Sequence, residues 1–157
     1  MSGEKDTAGV IAPPPLVFGV PLVLGLVAHG QGLGLDIEGD WPGRAFGGAI
    51  LCVFGAALIV LAVLRFRAAK TPPEPWKETT AFVREGVYRL TRNPMYLGMA
   101  SIYLGITVIA GCLVLAALFV PAFIAIHYGA ILREETYLTR KFGDAYLSYK
   151  ASTRRWL

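Results

Sequence analysis

Two adjacent acids, Glu134 and Glu135, stand just beyond a stretch of forty residues, 93–132, that carries no formal charge and begins directly after Arg92. The opening of that stretch, Asn93-Pro94-Met95-Tyr96, supplies an amide and a phenol, groups that donate and accept hydrogen bonds without changing charge near neutral pH. At the end of an apolar helix the macrodipole disfavours negative charge, and neighbouring helical positions cannot face the same partner. At least one of the two carboxylates therefore needs a positive partner. Arg133, Arg92 or Arg89 would serve as an ion pair, and a bound cation would serve as a ligand. The Arg92–Tyr96 segment is likewise open to two readings: a ligand site, or a helix start with Arg92 as a headgroup anchor and Tyr96 as an interfacial aromatic.

For the two clusters to cooperate they must meet. A single helix of forty residues would reach roughly 60 Å, about twice the hydrocarbon thickness of a bilayer, so the stretch must fold back on itself. Gly105, Thr107, Gly111 and Cys112 weaken a continuous helix and place the reversal near Gly111 and Cys112. Such a hairpin returns Tyr96 and Glu134 to one membrane face. Pro94 suits the first turn of the outgoing helix, with Asn93 as its cap, and Pro121 should kink the returning helix and open a pocket.

The rest of the chain supplies the setting. Its 157 residues are 55% hydrophobic, with a mean hydropathy of +0.53, the composition of an integral membrane protein. Residues 16–35 and 45–64 are two further uncharged runs of twenty, each long enough to span. Before the first run only Lys5 is basic, and no small-residue cleavage signal stands out near Gly32, so that run reads as a retained helix. The expected fold is an all-α integral membrane protein with about four transmembrane helices in a single domain, residues 1–157: two helices in 1–70, a cytoplasmic linker at 71–92, and a hairpin with a C-terminal segment in 93–157. Leu138, Phe142, Tyr146 and Tyr149 recur at amphipathic spacing, which predicts an interfacial helix able to cover the site, bent at Gly143. Residues 79–88 read as a short strand or extended loop, Thr71–Trp76 as an extended linker, and the first dozen residues as a poorly ordered leader. The loop from Asp36 to Arg44 is acidic, whereas Arg65, Arg67, Lys70, Lys77, Arg84, Arg89 and Arg92 crowd the next connection. Both termini are thus expected in the cytoplasm. Topology and anionic headgroups account for the net charge of +4, so no nucleic-acid partner is expected. Cys52 and Cys112 lie in apolar spans and read as core residues rather than a disulfide. His29 and His127 lack paired-ligand spacing, so no metal site is expected, although His127 falls about two turns before Glu134.

Taken jointly, Gly86-Val-Tyr88, Arg92-Asn-Pro-Met-Tyr96-Leu-Gly98 and Glu134-Glu135-x-x-Leu138-x-x-x-Phe142-Gly143-x-x-Tyr146-x-x-Tyr149 make residues 80–154 resemble the isoprenylcysteine carboxyl methyltransferase and phospholipid N-methyltransferase superfamily. The resemblance implies a membrane methyltransferase that binds S-adenosyl-L-methionine at the cytoplasmic side, in a pocket closed by the C-terminal segment. It implies cofactor contacts from Thr80, Ala81, Phe82, Val83, Tyr88, Asn93, Pro94, Met95, Tyr96 and Glu134. Glu135 and Arg154 would position a lipophilic or membrane-delivered acceptor. Glu134 would meet the cofactor's ammonium or ribose, with Tyr88 and Tyr96 against its adenine or sulfonium. Asn93 replaces a histidine common in the family, which removes any acid/base role there, and Ala130 stands where the eukaryotic prenylcysteine enzymes have an arginine linked to substrate.

Two other functions compete. A sterol-type reductase would use NADPH, with Arg89, Arg92, Arg154 and Arg155 as candidate phosphate partners. A non-catalytic membrane scaffold would use the acids and aromatics for helix assembly. The short loops suit a prokaryotic inner membrane.

Overall fold

The computed structural model describes residues 6–37 and 39–157; Lys5 and Glu38, used above in reading the first span and the acidic loop, lie outside them. Among the described residues the chain is helical, with no strand. Helix α1 (Pro14–Gly30) starts on a proline, α2 spans Trp41–Ala68, α3 Pro94–Ala110, α4 Leu113–Ile126, α5 Leu132–Phe142 and α6 Asp144–Ser152. A π-helical turn, His127–Ile131, joins α4 to α5, so the helix is continuous from Leu113 to Phe142. That 30-residue helix and the 28-residue α2 are long and apolar enough to cross a membrane. The 17-residue α1 and α3 are apolar but shorter, about 26 Å each at the α-helical rise. The architecture fits an all-α membrane protein.

Local chemistry sets the boundaries. The Asp40 carboxylate caps α2 by accepting from the Gly43 N–H at 2.6 Å. Pro94 occupies the first turn of α3, as its missing donor allows. The reversal falls where the sequence places it: Gly111, at φ 62°, ends α3 in the left-handed conformation that glycine adopts without strain. The loop before α2 is fastened to this turn, with Ile37 N–H donating to the Gly111 carbonyl at 2.7 Å and Leu113 N–H to the Leu35 carbonyl at 2.8 Å. His29 Nδ1 lies 3.2 Å from Asp36 Oδ1 beside the same turn.

Antiparallel α2 and α3 pack backbone to backbone. Gly48 faces Gly105 and Gly55 faces Gly98, and a Cβ on Gly98 would stand 2.6 Å from the Gly55 carbonyl oxygen. Small residues repeated every seven positions on both helices allow this approach. Helix α1 packs on α4, with Phe18, Tyr103 and Ile126 in the shared core. Outward faces stay apolar: Val20, Val23 and Leu24 of α1, Phe46, Val53 and Leu61 of α2, and Val120 and Ile124 of α4 are all exposed. Lipid tails, not water, suit such a surface.

Two expectations are corrected, the Asn93 cap and the bend at Gly143. Asn93 sits at the N-cap position of α3 but makes no capping bond; its amide is drawn off to another partner described below. Helix α4 includes Pro121, and a π turn next to the site adds a residue that shifts the phase between His127 and Glu134. The amphipathic segment is broken rather than bent, because Gly143 at φ 52° ends α5 and begins α6. Of the two alternatives for residues 79–88, the structure takes the loop, with a single 3-10 turn at Gly86–Arg89.

Candidate functional site

The hairpin brings the two polar clusters together: the Tyr96 hydroxyl donates to Glu134 Oε1. They meet at one end of the bundle, in a cavity of about 830 Å³ counting its open mouth. Helix α3 supplies Asn93, Pro94, Met95 and Tyr96 through its first turn. Helix α5 supplies Glu134, Glu135, Tyr137 and Leu138, and α6 supplies Tyr146 and Tyr149. The loop between α2 and α3 closes the remaining side with Ala81, Phe82, Val83 and Tyr88.

Aromatic packing gives this wall its shape. Phe82 lies 5.5 Å from Phe142 in a stacked pair and meets Tyr146 and Tyr149 edge-on at 5.7 and 5.3 Å. The Tyr149 hydroxyl donates to the Tyr88 carbonyl at 2.6 Å, fixing α6 over the loop. Burial pushes the Tyr88 and Tyr149 hydroxyls above the usual phenolic range and that of Tyr146 up to about 12. All three are therefore neutral phenols at physiological pH, available as hydrogen-bond donors and π faces rather than as bases.

The two acids have different partners. Glu135, only 6% exposed, accepts from Arg155 Nε at 2.8 Å and Nη2 at 3.0 Å. Lys150 Nζ and Arg92 Nη1 approach the same carboxylate at 3.1 and 3.3 Å. Glu134 is half-buried, faces the cavity and has the Tyr96 hydroxyl as its partner. Arg92 is thus the one cation, of the three proposed from sequence, that meets the pair. Arg133 donates instead to the Gly9 carbonyl at 2.8 Å, and Arg89 is exposed.

Two sequence-based site residues fall outside the cavity. Thr80 is exposed; its N–H donates to Thr71 Oγ1 at 2.9 Å, so it pins the loop while Thr79 lines the wall. Arg154 is exposed as well. Beyond α6 the chain is extended, with Thr153 at φ −126°, ψ 133°, so successive side chains alternate in direction: Thr153 is buried, Arg154 points out and Arg155 turns in. Arg155 is the residue that adjacency to Arg154 concealed. Its carbonyl also accepts from Thr91 Oγ1 and from Asn93 Nδ2, each at 3.0 Å.

The sequence reading also missed part of the wall. Pro72, Pro73, Glu74 and Pro75, taken above as linker, wall the cavity, and so does Ala8. Residues 6–12, expected to be poorly ordered, form a strap across α5 and the π turn. Ile11 N–H donates to the Gly129 carbonyl at 3.0 Å, and Tyr137 Oη donates to the Asp6 carbonyl at 2.9 Å. Lys141 Nζ then joins the strap to the loop, lying 2.9 Å from Asp6 Oδ2 and 2.7 Å from Glu78 Oε1. The i, i+3 and i+7 spacing of Glu134, Tyr137 and Lys141 was the available signal. His127 does not line the cavity.

A carboxylate that meets no cation among the described residues, an amide, neutral phenols and aromatic faces converge here at one end of apolar helices. That donor set fits a ligand that is cationic at one point and aromatic at another, held by an enzyme of helical, membrane-embedded type. The comparisons agree with that class. Residues 44–145, more than half of the chain, match the Phospholipid methyltransferase family, and the chain belongs to that family of membrane methyltransferases. A 64-residue stretch is 50% identical to an uncharacterized protein of Haemophilus influenzae, covering 40% of this chain and all of that relative. No solved structure matches the chain.

Proposed function

We propose that the chain catalyses S-adenosyl-L-methionine-dependent methyl transfer to a lipophilic or membrane-delivered acceptor, in the manner of the isoprenylcysteine carboxyl methyltransferases. The observation that carries this reading is Glu134: a carboxylate in an aromatic-walled cavity, paired with the Tyr96 phenol while the adjacent Glu135 takes the cations. Among the described residues no cation meets this carboxylate, so a sulfonium or ammonium group would complete its pairing, and Tyr88, Tyr96 and Phe82 offer faces to a cation or an adenine. The cofactor supplies an activated methyl group, so the tasks left to this chain's residues are orientation, alignment and exclusion of water. Tyr96 holds the Glu134 carboxylate in place, Met95 and Pro94 add apolar wall, and Ala8 of the strap and the proline-rich loop complete the lining.

In the membrane, we place α1, α2, α3 and the α4–α5 helix as four spans, with the cavity at the cytoplasmic face of a prokaryotic inner membrane. The short α1 and α3 fall at the lower limit of spanning length. Ala130 packs into the apolar core, 2% exposed, where the prenylcysteine enzymes carry an arginine. An acceptor without a carboxylate is the better fit to that position.

The test is calorimetry on detergent-purified protein, titrated with S-adenosylhomocysteine and with NADPH. Saturable binding of the former, weakened about 10- to 100-fold in Glu134→Gln as expected for loss of a charge-assisted contact, supports the reading. NADPH binding alone assigns a reductase instead, and no binding of either by folded protein leaves a scaffold.

A further inference from the structure

Arg155 joins three parts of the site that are distant in sequence. Its guanidinium grips Glu135 with two hydrogen bonds, and its carbonyl holds the side chains of Thr91 and Asn93. The preceding carbonyl, of Arg154, accepts from the Arg92 N–H at 2.9 Å. Residues 154–155 therefore bind both the lead-in to α3, which carries Asn93 and Tyr96, and the first turn of α5, which carries Glu134. Adjacent helical residues point about 100° apart. Fixing Glu135 toward Arg155, Lys150 and Arg92 turns Glu134 toward Tyr96 and the cavity. Among the described residues, without the bidentate grip the Glu135 side chain keeps Lys150, which is 40% exposed, and Arg92, whose Nε and Nη1 are buried with no hydrogen-bond partner there. Neither sets the carboxylate plane as a forked guanidinium does.

We propose that Arg155 is a positioning residue for the cavity: it acts through Glu135 and Asn93 to hold Glu134 at the angle required for ligand binding, without touching the ligand itself. This rests on the reading of the cavity as an S-adenosylmethionine site. The exposed Arg154 contributes its backbone alone, so its side chain is dispensable.

The experiment is a double-mutant cycle read by S-adenosylhomocysteine affinity on full-length protein, with Arg155→Met, Glu134→Gln and the double variant. Arg154→Met serves as the matched control. Arg155→Met should weaken binding about tenfold or more, while Arg154→Met should leave it unchanged. In the Glu134→Gln background the Arg155 substitution should cost little further affinity, because the group it orients has already been altered. Equal losses in both backgrounds would mean that Arg155 only stabilises the fold, and would overturn the proposal. Arg155→Lys, which keeps the charge but not the fork, extends the test should Arg155→Met fail to fold: wild-type affinity in this variant refutes the proposal, and an intermediate loss supports it. Absence of binding by the folded wild type overturns the cavity reading and this proposal together; binding by wild type that is indifferent to Arg155 overturns this proposal alone.

Discussion

Gly47 and Gly48 are neighbours on α2, and the same substitution at each should change stability in opposite directions. A Cβ at Gly47 meets nothing within 4 Å, whereas one at Gly48 would stand 2.5 Å from the Gly105 carbonyl oxygen and 2.5 Å from Ile109 Cγ1. Alanine at either site removes backbone freedom from the unfolded chain and favours the helix, a gain of about 0.4–1 kcal/mol. Because the residues are adjacent in sequence, that gain is nearly common to both. Overpacking costs about 1–3 kcal/mol, and the upper part of that range applies at Gly48, since the obstruction is a backbone oxygen that cannot rotate away. Gly47→Ala should therefore stabilise by up to about 1 kcal/mol, and Gly48→Ala should destabilise by about 1–2 kcal/mol net.

Reversible unfolding in mixed detergent micelles measures both. Variants that agree in sign and lie within about 0.5 kcal/mol of each other would refute the close backbone approach of α2 and α3. The contact also bears on the site. Gly98 follows Tyr96 by two residues, and a Cβ there would meet Ile59 Cγ1 at 2.7 Å as well as the Gly55 carbonyl. Gly98→Ala should thus shift the start of α3 and weaken ligand binding, while Gly48→Ala, at the far end of the same seam, should not.

The strap across α5 gives two further expectations. Lys141→Met removes the cation shared by Asp6 and Glu78, so backbone hydrogen exchange at residues 7–12 should accelerate while exchange in α2 and α3 is unchanged; unchanged protection of the strap would refute its fastening by Lys141. The pH dependence follows from Asp6, whose carboxyl is held below its ordinary value of 3.8 chiefly by the hydrogen bond from Lys141. A depressed folded value means that the contact stabilises fully above the unfolded value and is lost as pH falls through the folded one. Strap protection, corrected for intrinsic exchange rates, should stay level from about pH 8 to about pH 5 and decline only in stronger acid. A decline near neutrality would assign the fastening to another group.

The hairpin was legible because its signals are local and backbone-level. Pro94 after Asn93 suits the first turn of a helix, Gly111 and Gly143 adopt positive φ, and a forty-residue uncharged run cannot remain straight in a bilayer. The return of Tyr96 and Glu134 to one site followed from that geometry, though not their hydrogen bond, and Phe82, Tyr88, Tyr146 and Tyr149 do converge on one cavity. What escaped depends on contacts between distant segments. Asn93 has a capping residue's identity and position, yet the Arg155 carbonyl competes for its amide. The choice between Arg154 and Arg155 turns on where α6 ends and the period of the chain changes from helical to extended. Residues 6–12 carry no periodicity, and their order comes from α5, which presents Tyr137 and Lys141 to a backbone that any sequence supplies. The π turn has no marker in HYGAI.

Glu134 and Glu135 are the most instructive pair, because identical side chains at adjacent positions meet opposite electrostatic settings. Burying a carboxylate beside apolar helices is costly unless it is paired. Glu135 is paired three times over; replacing it with glutamine would leave the Arg92 side chain, 8% exposed, without its counter-charge. Breaking a buried pair in this way costs about 3–5 kcal/mol, and the partial exposure of Arg155 and Lys150 places the expected loss near the lower figure. Glutamine at 134 retains an oxygen to accept from Tyr96 and removes an unneutralised charge, so stability should hold or rise by about 1 kcal/mol. Glu135→Gln should therefore unfold more readily, whereas Glu134→Gln should be as stable as wild type and selectively poor in ligand binding. Equal destabilisation by the two substitutions would refute this division, since it would mean that Glu134 also serves the fold. Stability that holds or rises in Glu134→Gln while ligand binding falls would mark Glu134 as a group retained for what it binds.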